Sequence, residues 1–126
     1  MKTFYALSIK QPWSELIVLG HKNIENRKWH TSLIGPFLIH ASKDFDFEGF
    51  NWVKAKFPEL KLPEKKDDFR RGGLIGMSTI IDCVKTSTSP WFIGPYGFVL
   101  SSSEKFEEFI PMRGKLGFFK ITVNRT

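Results

Sequence analysis

This chain has one cysteine, no apolar run long enough to cross a membrane, and no internal repeat or low-complexity tract. A single thiol, Cys83, excludes an intrachain disulfide. Its setting in Ile80-Ile81-Asp82-Cys83-Val84 is that of a buried structural side chain in a reducing compartment. The three histidines, His21, His30 and His40, lack the i,i+2 or i,i+4 pairing of a metal-binding ribbon or helix, and one cysteine cannot build a zinc cage. No metal and no cofactor are therefore expected. Gly72-Gly73-Leu74-Ile75-Gly76 is followed by no Lys-Ser/Thr, so it reads as a turn and not a phosphate loop. No nucleophile elbow and no dinucleotide fingerprint occur either. The first residues combine no cationic leader with an apolar segment, and the expectation is a soluble, cytoplasmic protein without a membrane partner.

What is present is a core of aromatics and a modest excess of positive charge. The 126 residues are enough for one domain, expected over 1–126, that buries about two thirds of its unfolded surface without staples. Thirteen phenylalanines and four tryptophans supply that core. Nineteen Lys/Arg against thirteen Asp/Glu leave a net charge of +6, which favours phosphate-bearing partners. The bias is strongest in residues 1–41, which hold five cations and two acids together with all three histidines.

Periodicity predicts mostly strands. Residues 4–9 form a compact apolar strand, after which Pro12 opens a short helix carrying Trp13, Leu16 and Ile17 on one face and closed by Gly20. Residues 24–30 alternate as a strand, with Glu25, Arg27 and Trp29 on one face and Ile24, Asn26, Lys28 and His30 on the other. A further strand covers 37–41. Residues 42–71 then change character. Asp44, Asp46 and Glu48 precede Lys54 and Lys56, and Phe50, Val53 and Phe57 recur at helical spacing, so a helix is expected before Pro58. Residues 58–71 read as an exposed connection. Strands are predicted over 74–84, 96–101 and 115–123, with turn-rich 86–95 and 104–114 between them. Regularly spaced strands with little helix predict a mainly β, α+β domain built on a small barrel or sandwich.

The densest functional signal is Gly20-His21-Lys22-Asn23-Ile24-Glu25-Asn26-Arg27. A lysine, a glutamate and an arginine emerge from one turn behind a glycine that ends a helix. Lys22 is a point charge for a phosphate or, if desolvated, a base; a solvated turn lysine is the plainer alternative. Arg27 offers a planar fork to a phosphate or a base edge, and Glu25 two residues away is placed to hold it in an ion pair.

Five runs together resemble one family: Ala6-Leu7-Ser8-Ile9-Lys10-Gln11-Pro12-Trp13, Gly20-x-Lys22-x-x-Glu25-x-Arg27, Gly35-Pro36-Phe37-Leu38-Ile39-His40-Ala41, Trp91-Phe92-Ile93-Gly94-Pro95-Tyr96-Gly97 and Arg113-Gly114-Lys115-Leu116-Gly117-Phe118-Phe119. They resemble the ASCH family, named for activating signal cointegrator homology, over residues 4–41 and 72–122 in order. Residues 42–71 carry none of the pattern and read as a helical and loop insert. The resemblance implies a PUA-like β-barrel, related to the RNA-binding PUA domain, with the Gly-x-Lys-x-x-Glu-x-Arg residues in a cleft beside the first helix.

Two functions follow from different classes. The first is a nucleic-acid-binding domain, RNA being expected, in which Lys10, Lys22, Arg27 and Lys28 meet phosphates in a basic cleft. Trp13, Trp29 and Tyr96 are its candidate stacking surfaces, Glu25 orients Arg27, and Arg113 adds a cation from another loop; packing roles are the alternatives for Trp13, Trp91 and Tyr96. The second is a small amidohydrolase acting on a modified nucleoside such as N4-acylated cytidine. Some short members of the family perform that reaction with a lysine, a threonine and a glutamate in this cleft. Three residues after Lys22, where those enzymes carry threonine, this chain has Glu25, so the hydroxyl is missing from its place. If the chain is an enzyme, the catalytic candidates are Lys22 and Glu25, with the carboxylate acting on water and the lysine on the oxyanion. A protein-interaction role rests on family association alone.

Overall fold

The computed structural model describes residues 1–123. Six strands form one mixed sheet: β1 (Lys2–Gln11), β2 (Ile24–Arg27), β3 (Gly35–Phe45), β4 (Gly73–Val84), β5 (Tyr96–Pro111) and β6 (Phe118–Val123). Their order across the sheet is β2-β5-β4-β3-β1-β6, with β1 and β3 parallel and every other neighbouring pair antiparallel. Two helices accompany it, α1 (Trp13–Val18) and α2 (Phe47–Lys56), with a 3-10 turn at Lys66–Asp68. The class is α+β, consistent with the PUA-like barrel that the sequence predicts.

Side chains at and just beyond the end of edge strand β2 reach across to β1 and to the other edge strand, β6. Arg27, at the end of β2, donates from Nη2 to the Ser8 carbonyl of β1 at 2.9 Å. Trp29 sets its ring edge-on to Phe118 of β6 at 5.6 Å and to Phe98 of β5 at 5.3 Å. Inside, Leu7, Ile17, Phe37, Ile39, Ile75, Ile80 and Phe98 are fully buried in one cluster, each worth about 1.5–3 kcal/mol of transfer free energy. Helix α1 caps this core, with Ile17 and Val18 buried in it.

Two expectations are corrected. Residues 104–111 are not turns: β5 runs on to Pro111, paired with β4 through register shifts at Leu74/Gly76, Met77/Thr79 and Ile80/Asp82. Those bulges break the alternation on which a sequence reading depends. Residues 28–30, expected as strand, lie beyond the end of β2 at Arg27. Among the described residues no helix is long and apolar enough to cross a membrane.

Helix α2 is where the sequence placed it, and its start is built as a cap. Asp46 accepts from the Gly49 N–H at 2.8 Å through Oδ1. Its other carboxylate oxygen accepts from the Trp13 indole Nε1 at 3.1 Å, tying α2 to α1 across 33 residues of sequence. Residues 42–71 are thereby packed against the segment that carries the Lys22 motif.

Candidate functional site

The turn after α1 directs Lys22 inward. The His21 and Lys22 N–H groups both donate to the Leu16 carbonyl at 3.0 Å, winding the chain back beneath the helix. Lys22 is 5% exposed; its Nζ donates to the Ile24 carbonyl, lies 3.4 Å from Glu25 Oε1 and stands 5.7 Å from the Trp13 ring centroid. Glu25, also buried, accepts from Arg27 Nε at 2.9 Å through Oε2. One carboxylate therefore holds two cations. Burial lowers the pKa of Lys22 below the ordinary lysine value, the attraction of Glu25 works against it, and the nearby Arg27 charge adds to the lowering.

Lys22 and Glu25, with Trp13 and Asn26, form one wall of a pocket of about 560 Å³. The facing wall comes from α2 and the loop before β5: Asp46, Glu48, Gly49, Trp52, Pro90, Trp91 and Ile93. Three tryptophans meet here, with Trp52 centroids 6.4 Å from Trp13 and 6.0 Å from Trp91. Trp91 is backed by a stacked Phe57 at 4.7 Å. Asn26 braces the loop, accepting from the Ile93 and Gly94 N–H groups and donating to the Trp91 carbonyl. The polar lining holds three carboxylates and a single ammonium. The volume suits one nucleobase or nucleoside, and the charge does not suit a phosphate.

Cationic side chains gather next door. A groove of about 840 Å³ is lined by Lys10, Arg27, Lys43, Arg113 and Lys115, with Asp44 as its one acid. Its floor is Ser8 and His40, register partners on β1 and β3. His40 Nε2 lies 2.8 Å from the Met112 carbonyl, which can only accept, so Nε2 carries the proton and Nδ1 accepts from the Ser8 hydroxyl at 2.9 Å. That bond seats the 112–117 loop on the sheet, and a Cβ on Gly114 would come within 2.8 Å of both His40 and Ser8. Between groove and pocket runs a cleft lined by Lys10, Trp13, Glu25, Arg27, Lys28 and Trp29.

The structure thus divides the residues singled out from the sequence. Lys22, Glu25 and Trp13 line the pocket; Lys10, Arg27 and Arg113 line the groove; Lys28 and Trp29 lie along the cleft that joins them. Tyr96 faces Arg27 across the β2–β5 ladder, edge-on to His30 at 5.8 Å and beneath the Lys85 ammonium, and lines neither cavity. Sequence reasoning missed Asp46, Trp52, Lys43 and Lys115 as site residues. Lys43 and Lys115 had a readable signal, since Lys115 lies within one family-like run and Lys43 two residues beyond another. Asp46 and Trp52 carried only helical periodicity. Among the described residues no group of three or more His, Cys, Asp or Glu side chains is arranged to hold a metal ion.

A six-stranded PUA-like sheet whose first helix is followed by an ion-paired Lys-Glu-Arg trio, beside a basic groove, defines the class. The ASCH domain model matches residues 7–112, and the chain belongs to that family. It is similar to human activating signal cointegrator 1, 27% identical over 128 residues that span 93% of this chain and 22% of that protein. Mouse activating signal cointegrator 1 is 34% identical over 83 residues, 64% of this chain and 14% of that one. The chain spans about a fifth of the length of these relatives or less.

Proposed function

We propose that this ASCH domain binds single-stranded nucleic acid, RNA in the first place, with phosphates in the basic groove and one unstacked base in the tryptophan pocket. The observation that carries the reading is electrostatic: five cations against one acid in the groove, and three carboxylates against one ammonium in the pocket beside it. A polyanion with apolar, donor-bearing bases matches that division, backbone on one side and base on the other. Arg27 spends two of its N–H donors on Glu25 and Ser8 and keeps others for a phosphate. Lys22, committed to Glu25 and the Ile24 carbonyl, belongs to the base pocket and not to the phosphate path. Kinship of the fold with RNA-binding PUA domains adds an argument by analogy.

The test is a titration of a labelled short single-stranded RNA. The Lys43→Ala/Arg113→Ala/Lys115→Ala variant, altered only at exposed positions, should bind at least tenfold more weakly than the parent. Equal affinity for variant and parent would remove the groove as the phosphate path.

A second reading has one specific observation behind it: an amine with lowered pKa lies beside a carboxylate in a pocket of nucleoside size. That is the setting of an amidohydrolase acting on N4-acylated cytidine, although Glu25 stands where a threonine would be needed and is held by two cations. Release of cytidine from N4-acetylcytidine, lost on Lys22→Met, would support it; turnover equal to that variant would dismiss it.

A further inference from the structure

Resting on the nucleic-acid reading, we infer that the tryptophan pocket selects a positively charged nucleobase, one methylated on its pairing edge as in 1-methyladenine or 3-methylcytosine. Charge balance and aromatic lining point to such a base. In the pocket the Trp13 indole N–H is already given to Asp46, and the Asn26 amide accepts twice from the 93–94 loop and gives one N–H to the Trp91 carbonyl. Lys22 gives its hydrogen bonds to Glu25 and the Ile24 carbonyl. What remains for a ligand is an excess of negative charge: the carboxylates of Asp46 and Glu48, with Glu25 already paired, beside three tryptophan rings.

A neutral base would leave the charge of those carboxylates unbalanced. A base methylated at the pairing edge has lost its ring acceptor there, keeps its exocyclic amine as a donor, and carries a delocalised positive charge. Tryptophan rings attract such charge more strongly than any other aromatic side chain. Two of these rings already stand close to ammonium groups, Lys22 at 5.7 Å from Trp13 and Lys56 at 5.6 Å from Trp52. With Glu25 balanced by Lys22 and Arg27, the carboxylates of Asp46 and Glu48 are left to balance a ligand's charge. Methylation at that edge also blocks base pairing, so the base is free to leave a stack. The second wall of the pocket, from Asp46 to Trp52, comes from the insert, which gives that helix a role in choosing the base.

Two single-stranded RNAs of one sequence, with adenosine or 1-methyladenosine at one internal position, separate the claims. The modified RNA should bind about tenfold tighter, as for a desolvated cation on tryptophan. Trp52→Ala and Glu48→Gln, both at exposed positions, should each bring the ratio of the two affinities, measured within that variant, most of the way back to one. Equal binding of both RNAs to the parent protein would overturn the inference and leave the groove reading standing. A preference that survives Trp52→Ala would also overturn it, by placing the base elsewhere. Binding of neither RNA would overturn the nucleic-acid reading, and this inference with it.

Discussion

Trp13 donates its indole N–H to Asp46 at 3.1 Å, and this bond joins the helix that leads into the Lys22 turn to α2. Asp46 spends its other oxygen capping its own helix, so the same side chain orders α2 and docks it. The pocket exists between these two residues. Lys22 and Glu25 line it from one side, and Glu48, Gly49 and Trp52 of α2 from the other.

The close approach of the helices depends on Gly49. A Cβ there would lie 2.2 Å from Cζ2 of Trp13, a rigid ring that cannot swing aside as a lysine would. Gly49→Ala is expected to cost about 1–3 kcal/mol of stability through overpacking, against the small gain that alanine brings to an unhindered helix. Urea denaturation measures it; an unchanged or raised midpoint would mean that α2 does not press on Trp13.

The helix itself could be read from residues 42–57, because acids at its start, lysines at its end and apolar residues at helical spacing are local signals. Its docking could not, because the Trp13–Asp46 bond spans 33 residues and neither residue type announces a partner. The burial of Lys22 was equally hidden: lysine after a helix-ending glycine is ordinarily solvated, and only the Leu16 carbonyl, by drawing two N–H groups back, turns it inward. The second half of β5 was lost for another reason. Its sequence Ser101-Ser102-Ser103-Glu104-Lys105-Phe106-Glu107-Glu108 is polar because most of it faces water, and the bulges opposite it disturb the period of two.

Glu25 is the residue on which the trio's stability depends. Glu25→Leu removes the carboxylate that balances buried Lys22 and half-buried Arg27, and should destabilise by about 3–5 kcal/mol, the cost of stranding a buried charge. Lys22→Met made in addition should restore part of that loss. A double-mutant cycle in denaturant checks both numbers; additivity of the two changes would mean that the residues do not act as a pair.

The lowered pKa of Lys22 fixes the sign of a pH effect. The unfolded chain holds the lysine proton up to about its ordinary 10.5, while the folded chain gives it up earlier, so the unfolded state binds more protons between the two values. Stability owed to this group therefore rises as pH increases through that window and is lost as pH falls back through it. The unfolding free energy of the parent minus that of Lys22→Met should climb from neutral pH toward pH 10; a flat or falling difference would show that burial does not dominate at this lysine.

His40 and Ser8 support the groove and do not contact solvent charges directly. Gly114→Ala would press on both, with its Cβ 2.8 Å from each, and should lift the 112–117 loop. Because Arg113 and Lys115 ride on that loop, RNA affinity should fall several-fold with both cations still present. Unchanged affinity would show that the loop's seating on the sheet does not matter for binding.

The most direct test of the account is the salt dependence of single-stranded RNA binding. Each phosphate contact to a single strand contributes a slope of about −0.7 in log Kobs against log salt, so contacts from Lys10, Arg27, Lys43, Arg113 and Lys115 predict a slope near −3 to −4. Lys43→Ala/Arg113→Ala/Lys115→Ala should flatten it by about 2, and Trp52→Ala should lower affinity without changing it. A slope near zero in the parent protein, or one untouched by removing the three groove cations, would contradict the proposal that this groove carries a nucleic-acid backbone.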